Sequence, residues 1–150
     1  MQTILVTGGC GFIGAHTIVD LIENGFNVIS IDNLSRASDQ SLLGIEKITG
    51  KKIINYNVDL TDKAATEAVF VANPGIMGVI HFAAYKAVGE SVEKPLDYYE
   101  NNISSLVHLL QMAVKYNAPH FIFSSSCTVY GKERPVQGRN SRYRIVITGI

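Results

Sequence analysis

The stretch TILVTGGCGFIGAH, residues 3–16, joins a short apolar run to a turn rich in glycine. The run TILVT has the β-branched composition of a buried strand, and the residues after the turn have the apolar spacing of an amphipathic helix. Gly8, Gly11 and Gly14 are spaced as G-x-x-G-x-x-G, and Gly9 with the last two gives G-x-G-x-x-G. Without β-carbons the turn can tighten, and a pyrophosphate can reach the free N–H groups at the start of the helix. The stretch therefore predicts a strand, a dinucleotide-binding turn and a helix.

The same alternation of strand and helix continues along the chain. After residues 3–7, strands are predicted at 27–32 (NVISID), 52–59 (KIINYNVD), 77–82 and 120–125, and helices at 14–24, 61–73 and 95–116. The segment between the second and third strands is predicted to be a connection. Each crossover between parallel strands needs a dozen or more residues, which a helix supplies, so the pattern predicts an α/β fold. We expect a Rossmann-like doubly wound parallel sheet with helices on both faces.

The composition argues against several classes of protein. Of 150 residues, 47% are hydrophobic and 17% are charged, and the formal net charge is zero, so neither disorder nor a nucleic-acid partner is indicated. Cys10 and Cys127 lie far apart without a Cys-x-x-Cys spacing or a histidine cluster, which argues against a disulfide framework and a metal site. No apolar run approaches the ~20 residues that span a bilayer, and the N-terminus has no signal-peptide pattern. We expect one soluble, cytoplasmic domain with no membrane partner.

Acidic residues end the second and third predicted strands. Asp32 closes the second strand 18 residues after Gly14, where a carboxylate can accept both ribose hydroxyls of NAD and would repel the 2′-phosphate of NADP. Arg36 could soften this preference, although a single arginine in a polar loop is more often a solvated charge. Asp59 has two interpretations, as an adenine contact or as a turn residue that caps the next helix. His81 is predicted to be a core histidine.

Four longer stretches resemble a known family. They are VTGGCGFIGAHT (6–17), IDNLS (31–35), HFAAYKAVGESVEKPLDYYENN (81–102) and FIFSSSCTVYG (121–131), in the family's order and spacing. Through them the chain resembles the extended short-chain dehydrogenase/reductase superfamily and, within it, the UDP-glucose 4-epimerases, over residues 3–136. The first stretch is shared across the superfamily, whereas the third and fourth are more specific to the epimerases.

The resemblance implies NAD as the cofactor and a set of residues around it. The implied cofactor-binding residues are Gly8, Gly11, Phe12, Ile13 and Gly14 at the pyrophosphate; Asp32, Asn33, Leu34, Ser35, Arg36 and Ala37 at the adenosine ribose; Asp59 and Leu60 at the adenine; and Phe82, Ala83, Ala84, Tyr85, Lys86 and Asn101 along the nicotinamide half. Taken alone, Lys86 would be a surface lysine, and Asn101 and Asn102 would be polar residues on a helix face. The assignment of Lys86 and Asn101 to the site therefore depends on the resemblance.

The resemblance also implies a reaction, the interconversion of UDP-glucose and UDP-galactose at C4 through a 4-keto sugar in galactose metabolism. A tyrosine takes the proton of the 4-hydroxyl as hydride passes to NAD, and Ser126, the implied catalytic serine, hydrogen-bonds that hydroxyl. The tyrosine needs a lysine in the spacing Tyr-x-x-x-Lys, because a nearby cation lowers the phenol pKa. No Tyr-x-x-x-Lys occurs: Tyr130 is followed by Arg134, and Tyr143 by Ile147. We therefore expect an isomerase by family that is inactive as this chain alone.

The last part of the chain differs in character from the rest. Residues 1–131 carry 8 basic and 12 acidic side chains, whereas residues 132–150 carry 5 basic and 1 acidic. We expect an incomplete NAD-binding Rossmann domain over residues 1–136 and an atypical tail over residues 137–150, with the sixth strand and the C-terminal UDP-sugar domain absent. The tail is not expected to form the catalytic helix. Its β-prone segment 145–148, or another molecule, is expected to pair with the exposed edge of the last predicted strand, and of the two we expect association with another molecule.

Alternatives to the epimerase remain open. One is another nucleotide-sugar enzyme of the superfamily, a dehydratase or a reductase, against which KAVGES (86–91) argues. A second is a non-catalytic NAD-binding protein, against which the retention of SSSCT (124–128) argues, and a third is an unstable fragment without function. Members of the resembled family pack the long helix after Pro95 against its counterpart, which makes a homodimer a further expectation.

Overall fold

The computed structural model describes residues 1–125 and 146–148, which form a sheet flanked by helices. The strands are β1 Thr3–Thr7, β2 Asn27–Ile31, β3 Ile54–Tyr56, β4 Ile76–His81, β5 His120–Phe123 and β6 Val146–Thr148. The helices are α1 Phe12–Glu23, α2 Gln40–Thr49, α3 Lys63–Ala72, α4 Val88–Glu93, α5 Pro95–Tyr99 and α6 Ser105–Lys115, with a π-helical turn Glu100–Ser104 before α6. Within these described residues, no helix has the length and hydropathy needed to cross a membrane.

The order in which successive strands are added to the sheet reverses at β1: β2 and β3 lie on one side of it, and β4 and β5 lie on the other. The order is β3-β2-β1-β4-β5-β6, and all neighbours are parallel except β5 and β6. Thr7, at the end of β1, is level with Ile31 of β2 and with His81 of β4. The loops that leave these three strands therefore open at the same edge, at the point where ligands bind in open α/β sheets. The predicted doubly wound parallel sheet is confirmed.

Two apolar clusters, one on each face of the sheet, hold the layers together. Leu5 belongs to the cluster that includes Phe70 of α3 and Leu109 of α6, whereas Val6 belongs to the cluster that includes Ile18 of α1. Successive side chains of a strand point to opposite faces, so these two neighbours divide between the clusters. Both are fully buried, which is why β1 has the continuous apolar sequence of a strand covered on both sides.

The structure contains two helices, α2 and α4, where the sequence predicted none. In α2 Ile45 is buried and Leu42 packs against the same cluster, whereas every residue of α4 is exposed or half-buried, so both helices bury few of the apolar positions on which the prediction depends. The single helix predicted over residues 95–116 is instead α5, the π-helical turn and α6 in succession. A π-helical turn accommodates one extra residue, which apolar periodicity alone does not reveal.

β6 comes from the tail and lies at the edge of the sheet. It pairs antiparallel with β5, with Phe121 opposite Ile147. The tail thus pairs with the last predicted strand within the chain, which is one of the two stated outcomes and not the favoured one, association with another molecule. Residues 126–145 and 149–150 lie outside the described residues, and so does most of the segment that was not expected to form the catalytic helix.

Candidate functional site

The glycine-rich turn connects β1 to α1 and lies against the ends of β2 and β4. Gly8 has a φ of +68°, which other residues rarely adopt, and its N–H donates a 2.8 Å hydrogen bond to the carbonyl of Ile31. A β-carbon on Gly8 would lie 2.8 Å from the backbone nitrogen of Ala83, and one on Gly14 would lie 2.2 Å from the carbonyl oxygen of Gly8. The fold itself therefore requires glycine at these two positions.

Gly11 differs, because the fold does not require glycine there. Its φ of −75° and ψ of 167° are open to any residue. Among the described residues, a β-carbon at this position would meet one atom within 4 Å, the carbonyl oxygen of Gly8 at 3.3 Å, a tight contact that requires a shift of a few tenths of an ångström. Gly11 is also the N-cap of α1, and no described side chain caps this end of the helix. Position 11 thus keeps room in front of the first N–H groups of α1, an arrangement suited to a phosphate.

Asp32 ties the glycine-rich turn to the loop after β2. One carboxylate oxygen accepts a 3.0 Å hydrogen bond from the N–H of Cys10, and the other accepts a 2.9 Å bond from the N–H of Leu34. The side-chain amide of Asn55 donates to the backbone carbonyl of Asp32 at 3.1 Å, which holds the end of β2 to β3. Each carboxylate oxygen has a second lone pair, so Asp32 can still accept hydrogen bonds from a ligand.

Asp59, in the loop after β3, continues the same wall. One carboxylate oxygen accepts from the N–H and the hydroxyl of Thr61 at 2.9 and 2.7 Å, and the other accepts from the amide of Asn33 at 3.3 Å. Burial by itself would raise the pKa of Asp59, but the hydrogen bonds from Thr61 and Asn33 outweigh it and lower the pKa. The N-cap of α3 is Asp62, which accepts from the N–H of Ala65 at 2.9 Å. Asp59 is therefore a turn residue in the wall of the site, and the helix cap belongs to Asp62.

The opposite wall, residues 82–87, follows β4 and is held by Asn102. The side-chain oxygen of Asn102 accepts from the N–H of Tyr85 at 2.8 Å, and its side-chain nitrogen donates to the carbonyl of Tyr85 at 3.0 Å. Asn101 donates to the same oxygen of Asn102 at 2.9 Å. Sequence analysis missed this role of Asn102. The available signal was the pair of asparagines inside a helix, since asparagine is a poor helix former and π-helical turns are frequent at functional sites.

Arg36 reaches from the loop after β2 to α4. Its guanidinium forms a bidentate pair with Glu90, with N···O distances of 2.8 and 2.9 Å, and its Cζ lies 4.1 Å from the centre of the Tyr85 ring. The hydrogen bonds from Arg36 and from the Tyr98 hydroxyl lower the pKa of Glu90 to about 2. The Arg36 side chain is 45% exposed, so it is partly solvated as expected, and it is also paired with Glu90, which was not expected. Its partner lies 54 residues away in the sequence, so no local pattern signals the pair.

These walls surround a cavity of about 610 Å³ at the edge of the sheet, a size typical of small-molecule and cofactor sites. The residues predicted to bind the cofactor all line it, except Ile13, Gly14 and Leu34. Ile13 is exposed in the first turn of α1, Gly14 packs on the glycine-rich turn, and Leu34 contributes its N–H to Asp32. The lining residues that were not predicted are Ile31, Val58, Ala87 and Ser105. The first three adjoin predicted residues in the sequence, so the error concerns where each loop begins and ends.

Two buried residues near the site take no part in its surface. His81 is 2% exposed, hydrogen-bonds the hydroxyl of Thr7 through Nδ1 at 2.6 Å, and has its pKa lowered by burial to about 4, so the predicted core histidine is confirmed. Burial, with smaller contributions from Asp32 and Asp39, raises the pKa of the Cys10 thiol to about 12, which makes it a poor nucleophile. In residues 1–125 and 146–148, no group of histidine, cysteine and acidic side chains could hold a metal ion.

The implied catalytic residue, Ser126, lies outside the described residues, as does Cys127. The serine run begins with Ser124, which donates its N–H to the carbonyl of His81 at 3.2 Å and so continues the pairing of β5 with β4. The run therefore starts at the edge of the sheet that carries the cavity.

Comparisons with known proteins agree with this geometry. The model of the NAD dependent epimerase/dehydratase family matches residues 4–145, which extends past residue 136, where the resemblance was expected to end. The chain is 54% identical to a UDP-glucose 4-epimerase of Schizosaccharomyces pombe over 129 residues, covering 86% of this chain and 36% of that protein. It is 48% identical to the UDP-glucose 4-epimerase of Bacillus subtilis over 130 residues, covering 87% of this chain and 38% of that protein.

Solved structures show the same similarity. The crystal structure of the UDP-glucose 4-epimerase from Bifidobacterium longum in complex with NAD+ and UDP matches with a TM-score of 0.85 and 47% identity, covering 99% of this chain and 43% of that one. The chain thus spans less than half the length of these relatives. The similarity to the UDP-glucose 4-epimerases expected from the four sequence stretches is confirmed. The chain belongs to the NAD dependent epimerase/dehydratase family.

Proposed function

We propose that this chain is the NAD-binding part of a UDP-glucose 4-epimerase and that it binds NAD in preference to NADP. The observation that carries the proposal is the space kept by Gly11 before the uncapped start of α1, next to Asp32. The backbone conformation does not demand glycine at position 11, and packing opposes a β-carbon there only through the 3.3 Å contact with Gly8, so a ligand that must approach the backbone is a further reason for glycine. The relative from Bifidobacterium longum, crystallised in complex with NAD+ and UDP, supports this assignment.

The lining of the cavity fits the successive parts of NAD. The uncapped end of α1 and Gly11 suit the pyrophosphate, and the carboxylate of Asp32 suits the hydroxyls of the adenosine ribose. The wall that contains Asp59 and Leu60 is assigned to the adenine, and the wall that Asn102 holds is assigned to the nicotinamide half. In this assignment the sheet edge provides the floor, and the loops after β2 and β4 provide the sides.

The proposed reaction of the complete enzyme is the interconversion of UDP-glucose and UDP-galactose at C4. When bound, NAD would accept hydride from that carbon and then return it. Ser126 is assigned to hydrogen-bond the 4-hydroxyl oxygen of the sugar. The 150 residues contain no Tyr-x-x-x-Lys, the pair that would take the proton from that oxygen. We therefore expect this chain by itself to bind NAD without catalysing epimerisation.

The proposal also places the protein in the cytoplasm, with residues 1–136 as the NAD-binding domain, and as a homodimer. The homodimer is supported by an apolar stripe along α5, the π-helical turn and α6, formed by Leu96, Tyr99, Ile103 and Val107. These side chains follow one another at spacings of three and four residues and are exposed, from 78% at Leu96 to 43% at Val107. A continuous apolar stripe on the surface is typical of a helix that packs against a partner.

Isothermal titration of the 150-residue chain with NAD and with NADP tests the proposal. The Gly11→Val variant should lose detectable NAD binding, because its side chain fills the space assigned to the pyrophosphate. Gly44→Val is the matched control, because a β-carbon on Gly44 in α2 meets no described atom within 4 Å and Gly44 lies outside the cavity lining. Melting curves establish that both variants are folded. NAD binding by folded Gly11→Val with unchanged affinity, or tighter binding of NADP than of NAD by the unsubstituted chain, would refute the proposal.

A further inference from the structure

Asp32 and Arg36 favour different dinucleotides. They lie four residues apart in the loop after β2, and both line the cavity. A carboxylate at the end of this strand favours the 2′-hydroxyl of NAD, whereas an arginine nearby accommodates the 2′-phosphate of NADP. The cofactor preference of the site therefore depends on whether the positive charge of Arg36 is available to the ligand.

The charge of Arg36 is engaged by Glu90. The two parallel N–H···O hydrogen bonds, at 2.8 and 2.9 Å, use the fork of the guanidinium in the geometry that a phosphate would also need. The ring of Tyr85 covers a face of the guanidinium at 4.1 Å. An arginine held in this way is neutralised and oriented towards α4, so it offers a phosphate neither its net charge nor its bidentate fork.

Glu90 is itself held in position. The Tyr98 hydroxyl lies 2.9 Å from a carboxylate oxygen of Glu90 and 3.0 Å from the carbonyl oxygen of Ala87, so its one proton is shared between these acceptors, and it accepts a 3.1 Å hydrogen bond from the N–H of Ala87. Tyr98 is 9% exposed, so this support comes from a packed side chain. Because hydrogen bonds from Arg36 and Tyr98 lower the pKa of Glu90 to about 2, its carboxylate is charged throughout the neutral range. Both members of the pair are therefore charged at neutral pH.

We propose that Glu90 is a specificity-determining residue of the cofactor site. Glu90 holds Arg36 in a bidentate pair that is neutral overall. The guanidinium is then not available to bind the 2′-phosphate of NADP. Asp32 sets the preference for NAD, and Glu90 prevents Arg36 from weakening that preference. Glu90 lies outside the cavity lining and acts through Arg36, so it is a positioning residue. The inference rests on the proposed function, in which this cavity binds NAD.

The test is isothermal titration of NAD and NADP into the 150-residue chain and three variants. Glu90→Gln should release the guanidinium and tighten NADP binding by about tenfold or more, the value of one charge-assisted hydrogen bond to a phosphate. NAD affinity should change much less, by under about threefold, because NAD has no 2′-phosphate. Glu93→Gln removes the same charge from the same helix, outside the pair and the cavity lining, and should leave both affinities unchanged.

The double variant Arg36→Met with Glu90→Gln distinguishes release of Arg36 from a general loss of negative charge. It should return NADP affinity to within about threefold of that of the unsubstituted chain, because both members of the pair are then neutral. If Glu90→Gln alone does not fold, the comparison of the double variant with the unsubstituted chain still tests the inference. A tenfold lower NADP affinity in the double variant would show that Arg36 already binds the phosphate in the unsubstituted chain, which would overturn the inference. Unchanged NADP affinity in folded Glu90→Gln, with NAD still bound, would overturn this inference and leave the proposed function intact. Failure of the unsubstituted chain to bind NAD would instead overturn both.

Discussion

Replacing Asn102 with alanine should loosen the wall of the cavity that follows β4. The side chain of Asn102 makes two hydrogen bonds to the backbone of Tyr85, at 2.8 and 3.0 Å, and is partly buried. These bonds connect the π-helical turn to the loop that carries Tyr85 and Lys86 along the cavity. Alanine removes both bonds and leaves the N–H and carbonyl of Tyr85 to find water.

The expected loss of stability can be worked out from these contacts. A hydrogen bond of this kind contributes about 1 kcal/mol net, so the two bonds to Tyr85 and the one accepted from Asn101 contribute about 3 kcal/mol. Alanine is a better helix former than asparagine by about 0.6 kcal/mol, which offsets part of the loss. The free energy of unfolding should therefore fall by about 2.5 kcal/mol, which lowers the melting temperature of a chain of this size by about 7 °C. Because the loosened loop must be ordered again when NAD binds, the Kd for NAD should rise by up to about tenfold.

Thermal melting and NAD titration check both numbers. Asn27→Ala is the control, because its amide makes one exposed 3.1 Å hydrogen bond to the hydroxyl of Thr3, and its loss should change stability by less than about 0.5 kcal/mol. Asn102→Asp keeps the acceptor for the N–H of Tyr85 but replaces the donor with a charged oxygen beside the carbonyl, so it should destabilise at least as much as alanine. A melting temperature and a Kd for Asn102→Ala equal to those of the control would refute the reasoning.

Two further predictions concern the core and the surface. Burial lowers the pKa of His81 from 6.5 to about 4, so the unfolded chain takes up that proton first. The stability contributed by neutral His81 is full above pH 6.5 and is lost as the pH falls towards 4, by about 2 kcal/mol between pH 7 and pH 5. The free energy of unfolding measured in urea should therefore depend less on pH in His81→Gln than in the unsubstituted chain. Equal pH dependence in the two proteins would contradict this. Ile103→Glu, on the apolar stripe, should convert the proposed dimer into a monomer in light scattering, whereas Ile48→Glu on the equally exposed surface of α2 should not. A dimer that persists in Ile103→Glu would place the interface elsewhere.

The framework of the fold could be predicted because burial on both faces of a central sheet leaves a strong pattern. Leu5 and Val6 face different apolar clusters, so β1 has to be apolar at consecutive positions, and a tight glycine turn has to follow it. α2 and α4 bury few side chains, Ile45 alone in α2 and none in α4. They cover the sheet little or not at all, as the exposed side chains of Val88 and Val92 in α4 illustrate, and apolar spacing is then a poor guide to helix.

The parts of the candidate site that could be predicted are those in which neighbours in sequence are also neighbours in space. Gly8 and Gly14 meet within one turn, and Asp32 ends a strand that the apolar pattern had already located. Asn102 escaped prediction because its partner, Tyr85, lies 17 residues away and because a π-helical turn sets its direction. Hydrogen bonds of that kind depend on how two separate elements pack, which spacing in the sequence does not encode.

The charge of a binding site is likewise a property of pairs formed in three dimensions. Read locally, the loop after β2 contains both a residue that favours NAD, Asp32, and one that could favour NADP, Arg36, and the sequence ranks Asp32 first only because a single arginine in a polar loop is usually solvated. The structure ranks them through Glu90, because a bidentate ion pair removes the cation from competition while Asp32 keeps lone pairs free for a ribose. A substitution at Glu90 would therefore alter the apparent charge of a loop that it does not belong to, and Arg36 acquires its effect on cofactor choice only in relation to that distant carboxylate.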